Sequence, residues 1–301
     1  MSENQKTLKA IVILLAGLLC FDVMILEVRY LLANYSAPEL SAYRNVFGIL
    51  PSLLAMLYTG ELQFQKKSLA LRQWKLAFVR GAIVAVAQLT FYSSVGFLEL
   101  ATISALGHTS GLFMVLLSIF LFKERVGKWR WGALIIGFWG AILIIQPGSE
   151  TFSISALLPL VAAFSYALYL VSMRYFDDDA PNALIYIYAS FASGIVATVF
   201  ALLSGDITPV ASLKDGFMIL LMSMAGGTGM LLMMFAYRTA PASALAPFGY
   251  FAIISAFVFG WIFFGEFPVD KLFPGVLLII LAGTIIIWRE HYVRQKQAET
   301  A

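Results

Sequence analysis

Long apolar runs fill most of this chain and limit what it can fold into. An α-helix needs about 20 apolar residues to cross about 30 Å of hydrocarbon. Ten runs near that length can be placed, over residues 10–33, 38–59, 75–97, 101–121, 129–146, 154–174, 182–203, 216–237, 242–263 and 272–289. Of all residues, 12% are charged, whereas soluble domains average about 25%. We therefore predict an all-α integral membrane protein with ten transmembrane helices in a lipid bilayer.

The polar residues argue against several other classes of protein. A single cysteine, Cys20, can form neither an internal disulfide nor a cysteine metal site. The Lys and Arg residues fall in short loops and form no stripe that would bind a nucleic acid. The three aspartates at 177–179 have no second ligand cluster, so we predict a solvated loop there and no metal site. No nucleophile, metal or phosphate-binding motif stands out, which predicts that the protein is not an enzyme and needs no cofactor.

The charges in the loops predict which side of the membrane each loop faces. With the N-terminus placed inside, fifteen Lys and Arg residues fall in inner segments and two, Lys214 and Lys271, fall in outer segments. Cytoplasmic loops carry such an excess of positive charge. Both termini are therefore predicted to be cytoplasmic. Arg80 lies close to the inner face, so we expect its side chain to reach the water there.

The chain repeats a pattern after about 142 residues. Glu124 matches Glu266 at a spacing of 142, and Gly140 matches Gly283 at a spacing of 143. One inserted residue after the glutamate accounts for the difference. Both glutamates stand at predicted membrane edges, and we interpret them as structural caps or anchors.

This repeat divides the chain into two predicted halves, residues 1–146 and residues 147–301, with five helices in each. Because five is an odd number, the second half enters the membrane upside down relative to the first. Inverted repeats of this kind are typical of secondary transporters, in which the substrate binds at the interface between the repeats.

The ends of the fourth helices carry a resemblance to a known family. Each half closes an apolar stretch with a glutamate, in "FLFKE" and "IFFGE", and a glycine-rich fifth helix follows. Over nearly the whole chain this pattern resembles the EamA branch of the drug/metabolite transporter superfamily. The arrangement of Asp22, Arg29 and Arg44 is similar to a subgroup that includes bacterial carriers for S-adenosylmethionine and riboflavin. The resemblance implies ten helices around a central cavity, alternating access and no ATP-binding domain.

Three ionisable residues on three helices are predicted to lie at one depth. With a rise of about 1.5 Å per residue, Asp22 lies about 12 Å, Arg44 about 9 Å and His108 about 10 Å below the outer membrane edge. Arg29 is two helical turns from Asp22 and shares its face, whereas Glu27 points about 140° away. We therefore expect Asp22, Arg29 and Arg44 to face the cavity, with His108 nearby.

Each of these residues has a structural and a functional interpretation. Asp22 and Arg44 either form a buried pair that fixes helix packing, or a pair that opens to bind substrate or a proton. Arg29 either faces the cavity or reaches outward to water. His108 is either a packed histidine or a binding residue, since histidine changes charge near neutral pH.

Polar and aromatic residues on other helices complete the candidate substrate-binding site. They are Gln88 and Tyr92 on the third predicted helix, Tyr166 and Tyr169 on the sixth, and Tyr250 on the ninth. Such side chains form adaptable sites for flat organic molecules, although stripes of this kind also occur in packed cores. Pro247 and Gly249 predict a weakened helix just before Tyr250.

The leading hypothesis is a secondary carrier of a small organic metabolite in a bacterial inner membrane, driven by protons or by plain exchange. The alternatives are a drug/metabolite exporter of broad specificity and a non-transporting sensor or subunit. The inverted duplication argues against the last, because a membrane anchor has no need of two opposed gates. An inverted repeat works in both directions, so the direction of transport stays open, as do the substrate and the oligomeric state.

Overall fold

The structure, a computed structural model, describes residues 3–58, 71–123, 127–149, 152–177, 182–205, 207–240 and 242–299. Within these ranges all regular elements are helices, and one short 3₁₀ helix flanks α8 on each side. The α-helices are α1 (Glu3–Leu31), α2 (Ala37–Phe47), α3 (Leu50–Tyr58), α4 (Trp74–Val95), α5 (Leu100–Gly107), α6 (Ser110–Phe122), α7 (Lys128–Ile145), α8 (Leu158–Val171), α9 (Asn182–Ser204), α10 (Leu213–Thr239), α11 (Ala242–Gly249), α12 (Phe251–Phe264), α13 (Val269–Leu272) and α14 (Gly275–Glu299).

Seven helical segments of the described chain are long and apolar enough to cross a membrane. They are α1, α4, α5 joined to α6, α7, α8 with its flanking 3₁₀ helices, α9 and α10, while α12 and α14 add shorter apolar helices. These segments support the prediction of an all-α, multi-pass membrane protein. The count of ten spans stays a prediction, because the second predicted span is divided into the short helices α2 and α3.

Two of the predicted spans are interrupted where a side chain disturbs the helix. Pro51 has no amide hydrogen and its ring crowds the carbonyl four residues earlier, so α2 ends at Phe47 and α3 begins at Leu50. Between α5 and α6, the Thr109 hydroxyl donates to the Leu106 carbonyl at 2.6 Å. This bond competes with the regular pairing of the helix backbone.

A third interruption confirms the expectation of a weakened helix after Pro247. Helix α11 ends at Gly249 and α12 begins at Phe251, which leaves Tyr250 at the break. The break between α5 and α6 begins at His108, and the rings of His108 and Tyr250 are stacked with centroids 5.3 Å apart. The α5–α6 break and the α11–α12 break therefore lie against each other.

Helices from the two predicted halves exchange partners. Helix α1 packs along α10, and α8 packs along α4, so the first helix of each predicted half lies on the third helix of the other. The last helices of the halves, α7 and α14, pack side by side. These reciprocal contacts are what a two-fold arrangement of the halves requires, although the inverted repeat itself stays a prediction.

Glycines allow α7 and α14 to touch backbone to backbone. A methyl group at Gly140 would lie 2.6 Å from the carbonyl oxygen of Gly275, and one at Gly275 would lie 2.5 Å from that of Gly140. Neither oxygen can move away unless a whole helix moves. Gly132, also on α7, has open space at the same position of its backbone. Small residues bring membrane helices together in this way.

Gly140→Ala should therefore lower the melting temperature of the detergent-purified protein, because the added methyl group forces α7 and α14 apart. Such overpacking costs about 1–3 kcal/mol, which exceeds the gain of about 1 kcal/mol from replacing a helical glycine by alanine. Gly132→Ala is the matched control and should leave the melting temperature unchanged or raise it. Equal effects of the two substitutions would contradict the backbone contact.

Candidate functional site

A cavity of about 240 Å³ lies where helices from both predicted halves meet. Its wall is mostly apolar and includes the rings of Phe21, Phe91 and Phe259. Its polar lining residues are Asp22, Ser104, His108, Ser110 and Tyr166. Asp22, His108 and Tyr166, which were all predicted as site residues, thus share one cavity although they come from α1, the α5–α6 break and α8.

Asp22 is a buried carboxylate on the α1 side of this cavity. Its side chain is 5% exposed and interacts with Ser255 of α12. Its Oδ2 atom has no hydrogen-bond partner among the described residues. The predicted pairing with Arg44 is wrong for this state, because the two residues form no ion pair within the described chain. Arg44 turns instead toward Asn45 on its own helix.

His108 joins the two helix breaks through both of its ring nitrogens. Nδ1 lies 2.8 Å from the Ser104 carbonyl oxygen, and Nε2 lies 3.1 Å from the Gly249 carbonyl oxygen at the end of α11. A neutral imidazole has one N–H group, whereas an imidazolium has two. Only the protonated ring can therefore donate to both carbonyls. Tyr250 stacks on this ring, and its hydroxyl occupies the space that a side chain at Gly283 would fill.

Arg29 does not face the cavity, so the prediction that it belongs to the cavity-facing charges is wrong. Its Nη1 atom donates to the carbonyls of Val95 and Leu98 at 2.5 and 2.6 Å, and its Nη2 atom lies 2.8 Å from Glu266 Oε1. The sequence could not predict these partners, because two of them are backbone carbonyls, one at the last residue of α4 and one in the turn that follows. Glu266 Oε2 accepts the Leu100 amide at 2.8 Å and so caps α5.

This contact of Glu266 agrees with the interpretation of that residue as a structural cap. The matching glutamate of the first predicted half, Glu124, lies outside the described residues. Beside the Arg29–Glu266 pair, Lys271 and Glu99 form a second ion pair at 2.6 Å. We call Arg29, Glu266, Glu99 and Lys271 the outer network, because the topology predicted from the loop charges puts these residues at the outer face.

Glu27 lies outside the cavity lining, as the helical wheel predicted. Its side chain is partly exposed, and its Oε2 atom has no hydrogen-bond partner among the described residues. Glu27 and Asp22 are therefore two carboxylates on one helix, of which Asp22 faces the cavity and Glu27 does not. This makes Glu27 a control for substitutions of Asp22.

Arg44, Gln88 and Tyr92 lie in a buried polar region that does not line the cavity. Gln88 Oε1 accepts from Asn45 Nδ2 at 2.6 Å and from the Ser41 hydroxyl at 3.1 Å. Arg44 Nη1 donates to Asn45 Oδ1 at 3.2 Å. Tyr92 is fully buried and lies within electrostatic range of Arg44. The structure therefore places these predicted site residues together but separates them from Asp22.

Arg80 is buried, so the expectation that it reaches water at the inner face is wrong. Its side chain donates to the Tyr169 carbonyl at 3.0 Å and to the Ser172 hydroxyl at 2.9 Å. Its guanidinium also lies 4.0 Å from the centre of the Tyr169 ring. The end of α8 supplies carbonyl groups to a cation, which replaces the water that Arg80 would otherwise need. Tyr169, a predicted site residue, is engaged by this arginine.

Ser255 and Tyr186 lie near predicted site residues but were not themselves predicted from the sequence. Ser255 interacts with Asp22, and Tyr186 of α9 lies within electrostatic range of Arg44. Tyr186 stands 142 residues after Arg44, the same spacing that separates Glu124 from Glu266, and this spacing could have found it. Ser255 offers no such signal, because a serine in an apolar run looks the same whether it packs or binds.

Known transporters resemble this chain over much of its length. It is 30% identical to a riboflavin transporter of Vibrio cholerae over 60% of each chain. It is 22% identical to an S-adenosylmethionine uptake transporter of Rickettsia bellii over 89% of this chain and 90% of that one. It is 26% identical to the pseudopaline exporter CntI of Pseudomonas aeruginosa over 87% of this chain and 90% of that one.

The fold and the family agree with these relatives. A solved crystal structure superposes with a TM-score of 0.64 at 15% identity, covering 95% of this chain and 98% of the other, which shows a shared fold. The sequence model of the EamA-like transporter family matches twice, over residues 8–146 and 153–289. The resemblance seen in the glutamate-ended helices is thus confirmed, and this chain belongs to the EamA-like transporter family.

Proposed function

We propose that this protein is a secondary transporter that moves a small organic metabolite across a bacterial inner membrane by alternating access. One observation carries the proposal: an unpaired carboxylate, Asp22, stands in an apolar cavity between the two predicted halves. Burying a charge in a membrane protein is costly, and such charges mark substrate or ion pathways. A basic group of the substrate or a proton would provide what Asp22 lacks.

The outer network supports alternating access. Arg29 and Glu266 connect α1 to the loop between α12 and α13 across the outer end of the bundle. Lys271 of α13 and Glu99 in the turn before α5 form a second connection between the two predicted halves at this end. With these ion pairs formed, the outer side of the cavity is closed. Their separation would open it to the outside, so they act as the outer gate of the transport cycle.

The apolar and aromatic wall suits a substrate with a flat or apolar body, since aromatic rings favour stacked or edge contacts. The relatives are named for riboflavin, S-adenosylmethionine and pseudopaline, and these names include uptake as well as export. The first compounds to test are therefore riboflavin and S-adenosylmethionine, followed by a wider metabolite panel. A drug exporter of broad specificity is the second candidate, and transport of many unrelated compounds would favour it.

Counterflow in liposomes tests the proposal. The purified protein should exchange an external labelled substrate for the same unlabelled compound inside, without chemical conversion. Asp22→Asn should reduce this exchange by about tenfold or more, because a hydrogen bond to a charged group is worth about 1.5–3 kcal/mol. Glu27→Gln, on the same helix but outside the cavity lining, is the matched control and should exchange normally.

The proposal would be contradicted by two results. One is the absence of counterflow across the whole panel with protein that still melts cooperatively, which would favour a sensor or subunit. The other is an equal loss of exchange in Asp22→Asn and Glu27→Gln, which would show that the cavity position of Asp22 does not matter.

His108 is the candidate for proton coupling. Protonation lets its ring hold the Ser104 and Gly249 carbonyls together, and loss of the proton releases one of them. Histidine often carries protons in proteins, so a cycle coupled to protons through His108 should depend on pH. His108→Gln should flatten this dependence while slower, pH-independent exchange continues. Tyr250→Phe keeps the stacked ring and should keep the pH dependence. A normal pH profile in His108→Gln would move the proton site elsewhere, with Asp22 as the next candidate.

A further inference from the structure

Arg29, Arg44 and Arg80 lie among the membrane helices, and Arg44 has fewer hydrogen-bond partners than the other two. Arg29 donates to Glu266 and to two carbonyls, and Arg80 donates to a carbonyl and a hydroxyl while lying on an aromatic ring. Arg44 is 7% exposed and makes one hydrogen bond with the described residues, from Nη1 to Asn45. A guanidinium has five N–H groups, so most of the hydrogen-bonding capacity of Arg44 is unused.

The surroundings of Arg44 contain a second unsatisfied donor. Arg44 Nε and the Tyr186 hydroxyl are both buried without a hydrogen-bond partner among the described residues. Arg44 and Tyr186 lie within electrostatic range of each other. A methyl group at Gly226 would lie 2.7 Å from Met24 Sδ and 3.1 Å from Arg44 Nε, so only a residue without a side chain lets α10 pack this closely on Arg44. An unused N–H and an unused O–H therefore lie in one buried region.

The charge of Arg44 is not balanced either. Arg44 forms no ion pair within the described part of the chain, and the cavity carboxylate Asp22 interacts with Ser255 instead. Its electrostatic neighbours are the four tyrosines Tyr92, Tyr166, Tyr169 and Tyr186. Phenol groups offer hydrogen bonds but no negative charge at neutral pH. A buried cation without a counter-charge is costly, and an anionic ligand would remove that cost.

We propose that Arg44 and Tyr186 form a subsite for an oxyanion, a carboxylate or a similar planar group, that belongs to the transported molecule. The forked guanidinium matches the geometry of a carboxylate, and the Tyr186 hydroxyl adds a third donor. Tyr166 lines the cavity and also lies within electrostatic range of Arg44, so this side chain is near both the cavity and the subsite. Movement of the Tyr166 ring would connect them.

The subsite specifies a substrate class. This step rests on the proposed function, because the oxyanion is assigned to the carried molecule. Asp22 at the cavity calls for a basic group, and Arg44 near Tyr166 calls for an acidic one. The substrate is therefore an amphoteric small molecule with an apolar or aromatic body, whose two charged groups reach Asp22 and Arg44.

Ligand binding to the detergent-purified protein tests the subsite without any need for transport. Benzoate and benzamide share a flat ring and differ in charge, so they are the probes. Benzoate should raise the melting temperature of the unchanged protein by several degrees, because a ligand that binds the folded state stabilises it, and benzamide should not. Arg44→Gln should abolish the benzoate shift, and Tyr186→Phe should weaken benzoate binding by about tenfold. Asp22→Asn, which leaves the subsite intact, should keep the shift.

Other benzoate responses would overturn the subsite. A benzoate shift that survives in Arg44→Gln places the anion elsewhere. A shift of equal size with the same concentration of sodium chloride shows a site for any small anion and no oxyanion subsite. The absence of any benzoate shift shows that Arg44 does not bind an anion. If Arg44→Gln does not fold, Arg44→Lys and Tyr186→Phe decide the question, and a full benzoate response in both contradicts the forked recognition. Binding of benzoate by a protein without counterflow would refute the transporter and leave the subsite standing.

Discussion

A charge among membrane helices must find its partner inside the protein, because hydrocarbon offers none. This constraint sorts the ionisable residues of the bundle into two groups. Arg29 and Arg80 have their donors filled by carbonyls, a carboxylate and a hydroxyl. Among the described residues, Asp22 Oδ2 lacks a donor and Arg44 Nε lacks an acceptor, although each residue is at least nine-tenths buried. The first group holds helices together, and we propose that the second group binds the ligand.

Helix ends supply the hydrogen-bond partners of the charged and polar side chains that are satisfied inside the bundle. A continuous helix satisfies its own backbone, so it leaves no carbonyl for a side chain. The ends of α4, α8 and α11 supply carbonyls to Arg29, Arg80 and His108 respectively. His108 and Tyr250 stack where the breaks of the two predicted halves meet. A change of protonation at His108 would therefore act directly on the contact between these halves.

The all-helical, multi-pass character of the fold could be predicted from the sequence, since long apolar runs respond to the bilayer alone. The depth of Asp22 and His108 along their helices also predicted that they share a cavity, because depth follows from helical rise. The partners of Arg29 and Arg80 could not be predicted in the same way. They are mostly backbone carbonyls, which every residue carries, and only the packing of helix ends decides which of them reaches a guanidinium.

The same limit explains why Arg44 was expected to pair with Asp22. Depth places two residues in one layer of the membrane. It does not say in which direction each side chain points around the axis of its own helix. Arg44 turns toward Asn45 and the tyrosines, while Asp22 turns toward Ser255. Shared depth is therefore good evidence for a common layer and weak evidence for a pair.

Closure of the cavity by the outer network is the claim on which the transport cycle depends, and thiol labelling measures it most directly. Ser110 lies on the cavity wall, so Ser110→Cys in a Cys20→Ser background reports access to the cavity. A membrane-impermeant thiol reagent applied to intact cells should label this cysteine slowly. Adding Glu266→Gln, which removes the partner of Arg29, should speed labelling several-fold, whereas Glu27→Gln should not. Equal labelling rates in all three proteins would contradict a gate at Arg29 and Glu266.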